Sequence, residues 1–110
     1  MSYQVDEKDG YAVVRLTGEV DLNHSPEARK VILDCLQKQM PLLVDLSSVD
    51  YIDSSGVASL VEGYQLSRSR QLDFGLIGVS DAAMNVLRLA RLDKVFPIYA
   101  SLEARLKDSR

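Results

Sequence analysis

Leu42-Leu43-Val44-Asp45-Leu46 is the segment that most narrows the fold, because it is a short and nearly continuous apolar run. A strand that is apolar at successive positions is buried on both faces, the condition of a parallel strand inside an α/β sheet. Parallel neighbours need long crossover connections, which are usually helices. The chain on either side supplies them. Ahead of the run, Ser25 is a good N-cap, Pro26 suits the first helical position and Glu27 complements the helix dipole. Ala28, Val31, Ile32, Cys35 and Leu36 then recur at three- and four-residue steps as one apolar stripe, and Pro41 closes the helix. Behind the run, the segment Ser47 to Asp53 leads to a second helix with Val57, Leu60, Val61 and Tyr64 inward. Gly63 inside that helix costs about 1 kcal/mol relative to alanine, which assigns it to close packing.

The remaining elements follow from turn chemistry. Tyr3 to Glu7 and Tyr11 to Thr17 are patterned as strands joined around Lys8-Asp9-Gly10, and Asp-Gly between β-rich runs is a hairpin signal. Gly18 to Asn23 is expected to be a loop. Phe74 to Val79 is the next buried strand, and Ser80-Asp81 caps a third helix whose inner stripe is Ala83, Leu87 and Ala90. An extended piece, Phe96 to Tyr99, precedes a last amphipathic helix, Ser101 to Lys107. The order β-β-α-β-α-β-α-β-α predicts an α/β fold: a mixed sheet with an N-terminal antiparallel hairpin, parallel strands after it, and four helices packed on it. With 110 residues and no repeat, linker or low-complexity tract, residues 1–110 are expected to form a single domain.

Composition excludes several classes of function. Thirteen basic residues against sixteen acidic ones leave a net charge of −3, with no basic cluster to grip a nucleic-acid backbone. Arg68-Ser69-Arg70 is better explained as a solvated helix C-terminus. Cys35 is the only cysteine, at an apolar helical position, so it is a small buried hydrophobe and not half of a disulfide. No apolar run approaches a membrane span, and the N-terminus lacks the basic and apolar regions of a signal peptide. A cytoplasmic protein with no membrane insertion is expected.

Asp53-Ser54-Ser55-Gly56, between the apolar Tyr51-Ile52 and the helix starting at Val57, is the motif with chemical content. It places two hydroxyls at a helix start, where free N–H groups and the positive end of the dipole favour a phosphate. A cap before a helix is commonplace, but one capping residue would suffice. Gly56, a poor helix former in the first turn, fits a backbone that another surface approaches closely. Catalytic alternatives fail on inventory. There is no Gly-x-Ser-x-Gly elbow, and His24 is the sole histidine. One Cys and one His leave no metal set beyond scattered carboxylates, and neither Gly-x-x-x-x-Gly-Lys nor GxGxxG occurs. No cofactor is expected. Asp45 at the end of a buried strand resembles the phospho-acceptor of a receiver domain, but Asp21 lacks the adjacent acidic partner that such a domain needs.

Val14 to Asp21, Leu43-Val44-Asp45-Leu46 and Tyr51-Ile52-Asp53-Ser54-Ser55-Gly56-Val57, together with Leu92 to Ile98, resemble the STAS domain, in particular the single-domain bacterial anti-sigma-factor antagonists. The resemblance implies that Ser54, directly after the aspartate, is phosphorylated by a partner that is both anti-sigma factor and serine kinase, a GHKL-type ATPase. It implies that the unphosphorylated form sequesters this kinase, that the phosphoprotein does not, and that a phosphatase restores it. The chain itself would catalyse nothing. Asp53 would orient Ser54, Asp21 would be a neighbouring loop carboxylate, and Asp21, Asp53, Ser54, Ser55, Gly56 and Ala58 would form the partner surface. Val57-Ala58-Ser59 departs from the Leu-Gly that many antagonists carry there. STAS proteins also resemble the accessory component of lipid-trafficking ABC transporters, where the same surface grips an ABC ATPase. Antagonists of this kind imply a monomer.

Overall fold

The computed structural model describes residues 3–108. Nine elements run in the order β1 (Gln4–Lys8), β2 (Tyr11–Val20), α1 (Ser25–Gln37), β3 (Leu42–Ile52), α2 (Ser54–Ser69), β4 (Phe74–Ile77), α3 (Asp81–Leu89), β5 (Ile98–Tyr99) and α4 (Leu102–Lys107). The sheet order is β1-β2-β3-β4-β5. β1 and β2 are antiparallel, joined through Asp9 and Gly10, both at positive φ (52° and 87°) as the tight hairpin requires. Every later pairing is parallel. The expected mixed sheet with four helices is what forms.

One face of the sheet carries the main core. Val14, Leu16, Val44, Leu46 and Leu76 are buried there against Ala28, Ile32 and Leu36 of α1, Leu60 of α2, and Ala83 and Leu87 of α3. Cys35 belongs to this cluster, and burial pushes its thiol pKa up, as befits an inert small hydrophobe. Tyr64, Phe74 and Phe96 close one side of it with ring centroids 5.6 to 6.2 Å apart. On the opposite face Leu43 and Ile77 are also buried, so β3 is covered on both sides, as its apolar run requires. Arg105 of α4 stacks on Tyr11 (5.7 Å) and Tyr99 (5.5 Å) and pairs with Asp73, which also accepts from the Tyr11 hydroxyl at 2.7 Å. This cluster ties the last helix to both the hairpin and β5.

Several boundaries differ from the sequence pattern. β2 continues through Gly18-Glu19-Val20 and β3 through Ser47 to Ile52, both expected as connections. The two extensions pair with each other, Gly18 with Val49 and Val20 with Ile52, across two register shifts. Those irregularities leave Leu46, Val49 and Ile52 as the buried positions, three residues apart, so the two-residue alternation of a strand disappears. At the start of α1 the N-cap is His24, with no side-chain cap bond, and Ser25 is a buried helical residue. The Glu27 and Ala28 N–H groups bond to the His24 carbonyl (3.1 and 3.2 Å), while the Asp21 carboxylate orders the turn before the helix by accepting from the N–H groups of Asn23 (3.0 Å) and His24 (3.1 Å). α1 ends at Gln37, before Pro41. β4 stops at Ile77, where Gly78 turns the chain at φ 58°. Ala90 is exposed as the C-cap of α3 and is not part of the inner stripe.

Gly63 does serve close packing. A Cβ there would lie 2.6 Å from Ile32 Cγ2 and 3.2 Å from Phe74 Cε2. Gly63→Ala gains about 1 kcal/mol in helix propensity but overpacks a junction held by a β-branched, rotamer-restricted Ile32, at about 1–3 kcal/mol. The overpacking wins. Urea unfolding of Gly63→Ala is expected to show a lower midpoint, and a raised midpoint would disprove the packing account.

Candidate functional site

β2 and β3 are parallel and end together, Val20 opposite Ile52, so the residues that follow them emerge side by side at the C-terminal edge of the sheet. Asp21 follows one strand and Asp53 the other. Loops at this edge are where open α/β sheets present their functional groups.

Asp53 organises the start of α2. Its backbone is extended (φ −111°, ψ −171°), its N–H reaches the Val20 carbonyl at 3.4 Å, and its own carbonyl accepts the first helical bond from Val57 at 3.0 Å. One carboxylate oxygen, Oδ1, accepts from the Ser55 N–H (2.9 Å), the Gly56 N–H (3.2 Å) and the Ser55 hydroxyl (2.6 Å). That arrangement answers two of the orphan donors of the helix start. The Ser55 hydroxyl, with the N–H groups of Gly56, Ser55 and Leu22, holds the Asp53 carboxyl below the usual carboxylate range against a smaller opposing effect of desolvation.

The two serines of the motif therefore differ. The Ser55 hydroxyl is engaged by the cap and half-buried, whereas Ser54 is exposed and its hydroxyl takes no part in the cap. Gly56 is buried, and the surface that approaches it closely is the chain's own. A Cβ there would stand 2.5 Å from the Val20 carbonyl oxygen and 2.7 Å from Ile52 Cγ1. At Asp21, desolvation raises the carboxyl pKa, but the His24 ring (Nδ1 2.7 Å from Oδ1) and the His24 and Asn23 N–H groups outweigh it and lower the value overall. His24 is thus engaged with Asp21.

Ser54 also stands on the wall of a groove between α2 and α3, a cavity of 830 Å³. Val57, Ala58 and Val61 line it from α2, Val86 and Leu89 from α3. Leu89 is 86% exposed and Leu22, beside Asp53, is 73% exposed. The α3 side of this groove was not visible in the sequence. Leu89 belongs to no buried stripe, and only the fold brings it beside the Ser54 helix. Ser59 was also missed. Buried in the first turns of α2, its hydroxyl contacts the Ser25 carbonyl (3.3 Å) and the Ser55 carbonyl (3.2 Å), linking α1 to the site. Among the described residues, no group of three His, Cys, Asp or Glu side chains gathers to hold a metal ion, and no helix is long and apolar enough to cross a membrane.

A mixed sheet opened by a hairpin, its parallel strands ending beside a capped Asp-Ser-Ser-Gly turn, defines the class. The STAS domain family model matches residues 2–104, and the chain belongs to that family. A curated relative, the anti-sigma-B factor antagonist of Listeria monocytogenes serovar 1/2a, is 25% identical over 100 residues, covering 89% of this chain and 88% of its own. The crystal structure of an anti-sigma factor antagonist from Mycobacterium paratuberculosis superposes with a TM-score of 0.83 at 30% identity, over 96% of this chain and 91% of that one. The Bacillus cell fate determinant SpoIIAA in its phosphorylated form shares the fold, with a TM-score of 0.73 at 19% identity over 99% and 100% of the two chains.

Three substitutions separate the roles at this turn. Gly56→Ala forces a Cβ against a backbone carbonyl that cannot swing aside, and is expected to destabilise by about 1–3 kcal/mol or more. Asp53→Ala removes the cap and lowers the thermal midpoint, while Ser54→Ala leaves it unchanged. Because folding depresses the carboxyl pKa of Asp53, its contribution is complete above the ordinary value of 3.8 and is lost as pH falls through the folded value. Asp53→Ala should therefore flatten the acid limb of a stability–pH profile; an unaltered acid limb would contradict the cap.

Proposed function

We propose that this protein is an anti-sigma-factor antagonist whose binding is switched by a phosphate on Ser54. A single STAS domain over residues 1–110, acting as a monomer in the cytoplasm, binds an anti-sigma factor that is also a GHKL-type serine kinase. Phosphorylation of Ser54 releases that partner and a phosphatase restores binding. The chain is the substrate in this cycle and performs no catalysis. Asp21, Asp53, Ser54 and Ala58 meet the partner, while Ser55 and Gly56 shape the surface from beneath.

The observation that carries this reading is the asymmetry between the serines: Ser55 is held in the cap, and Ser54 is exposed at the edge of an apolar groove. A phosphate on Ser54 adds about −1.5 to −2 charges beside the Asp53 carboxylate. The positive end of the α2 dipole tolerates it, so the fold is retained. Against a docked partner the same charge is desolvated and repelled, and ~1.4 kcal/mol of such penalty is already tenfold in affinity. The names carried by the Listeria and Mycobacterium relatives support the antagonist role, and SpoIIAA supports phosphorylation on this fold. An accessory subunit gripping an ABC ATPase needs the surface but not a modifiable hydroxyl, so the exposure of Ser54 favours the antagonist.

The test is binding and phosphorylation by the anti-sigma factor of the source bacterium. Wild type and Ser54→Ala are expected to bind alike and Ser54→Asp about tenfold more weakly or worse. Radiolabelled ATP should mark wild type and Ser55→Ala but not Ser54→Ala. Equal affinity of Ser54→Asp, or label on Ser55, would overturn the switch.

A further inference from the structure

Three cations flank the α2–α3 groove where α3 ends. Arg88, Leu89, Arg91 and Lys94 line a second depression of 480 Å³ that shares Leu89 with the groove. Arg88, Arg91 and Lys94 are exposed, and among the described residues none of them takes part in an ion pair, a side-chain hydrogen bond or a ring contact. Asp93 is the only carboxylate in that depression. Glu62, the carboxylate on the groove wall, is held by Arg29 through two bonds of 2.7 Å. A chain with a net charge of −3 thus presents three cations against one carboxylate beside its most exposed leucine.

We propose that the groove receives an acidic amphipathic helix of the partner, its apolar side chains on Val57, Val61, Val86 and Leu89 and its carboxylates on Arg88, Arg91 and Lys94. This deepens the antagonist reading and rests on it. The groove walls are helices, whose backbone groups are satisfied internally, so an extended peptide would find no strand edge to pair with. A helix brings its own backbone bonds and needs only an apolar stripe. From Ser54 to Gln65 the groove runs along α2 for about 16 Å, the length of a three-turn helix contact. On α3 the groove is walled by Val86, Leu89 and Ala90, from the end of the helix that also carries the cations. The groove then has different chemistry on its two walls: a hydroxyl on the α2 side and cations beside the α3 side. Screening distinguishes them, because exposed charge pairs on the cationic side weaken with salt whether or not Ser54 is modified.

Affinity for the purified anti-sigma factor is measured by calorimetry for wild type, R88E/R91E, R88K/R91K and Ser54→Asp, in about 50 and about 300 mM sodium chloride. Wild type is expected to weaken with salt, R88K/R91K to match it, and R88E/R91E to bind about tenfold more weakly with a reduced or inverted salt response. A p-benzoylphenylalanine at position 89 should cross-link to a helical segment of the anti-sigma factor rimmed with Asp or Glu. If Ser54→Asp releases the partner while R88E/R91E binds as wild type does, the acidic helix is ruled out and the antagonist reading stands. If wild type binds no anti-sigma factor, the antagonist reading fails and the inference with it. Cross-linking to a second copy of the chain would overturn the proposal. So would R88E/R91E losing only an affinity for phosphatidylglycerol vesicles.

Discussion

The seat of α2 on the ends of β2 and β3 governs the site. The first turn of the helix lies so close to the Val20 carbonyl that only glycine fits at position 56, where a Cβ would stand 2.5 Å from that oxygen. This contact sets the height of the helix start relative to the sheet. Asp53 then completes the strand ladder with its N–H and caps the helix with its carboxylate, so a single residue ends one element and begins the next. Because Ser55 is drawn into that cap, Ser54 is left facing out. Exposure of one serine and retention of its neighbour follow from packing at Gly56, one and two residues on.

The same seat determines what surrounds Ser54. Parallel β2 and β3 deliver Asp21 and Asp53 to one edge. α2 and α3 pack on the same core and leave an apolar groove between them. Ser54 stands on the wall of that groove, so in the proposed switch a phosphate there would border the surface a partner would cover.

Much of the fold was legible in the sequence for local reasons. The Asp9-Gly10 hairpin, the doubly apolar run of β3 and the amphipathic periods of α1 and α3 each carry one dominant physical requirement, and all three form. What was hidden lay where two requirements compete. The far halves of β2 and β3 carry serines and register shifts, so their inward residues fall three apart and imitate no regular element. Ser25 has the composition of a cap but is buried as a helical residue, in contact through its carbonyl with the Ser59 hydroxyl of α2. Ala90 continues the helical period of α3 one residue beyond the point where the helix ends.

The site divides in the same way. Sequence alone determined that Asp53-Ser54-Ser55-Gly56 stands where a strand gives way to a helix and bears hydroxyls at the helix start, since these depend only on neighbouring residues. That the helix begins at Ser54 and not at Val57 came from the structure. Which hydroxyl is available, which surface Gly56 accommodates, and that Leu89 shares a groove with Ser54 are tertiary facts. They depend on how the first turn of α2 packs on Val20 and Ile52 and on α3 lying beside α2. Contacts between residues so distant along the chain leave no local period or spacing to be read.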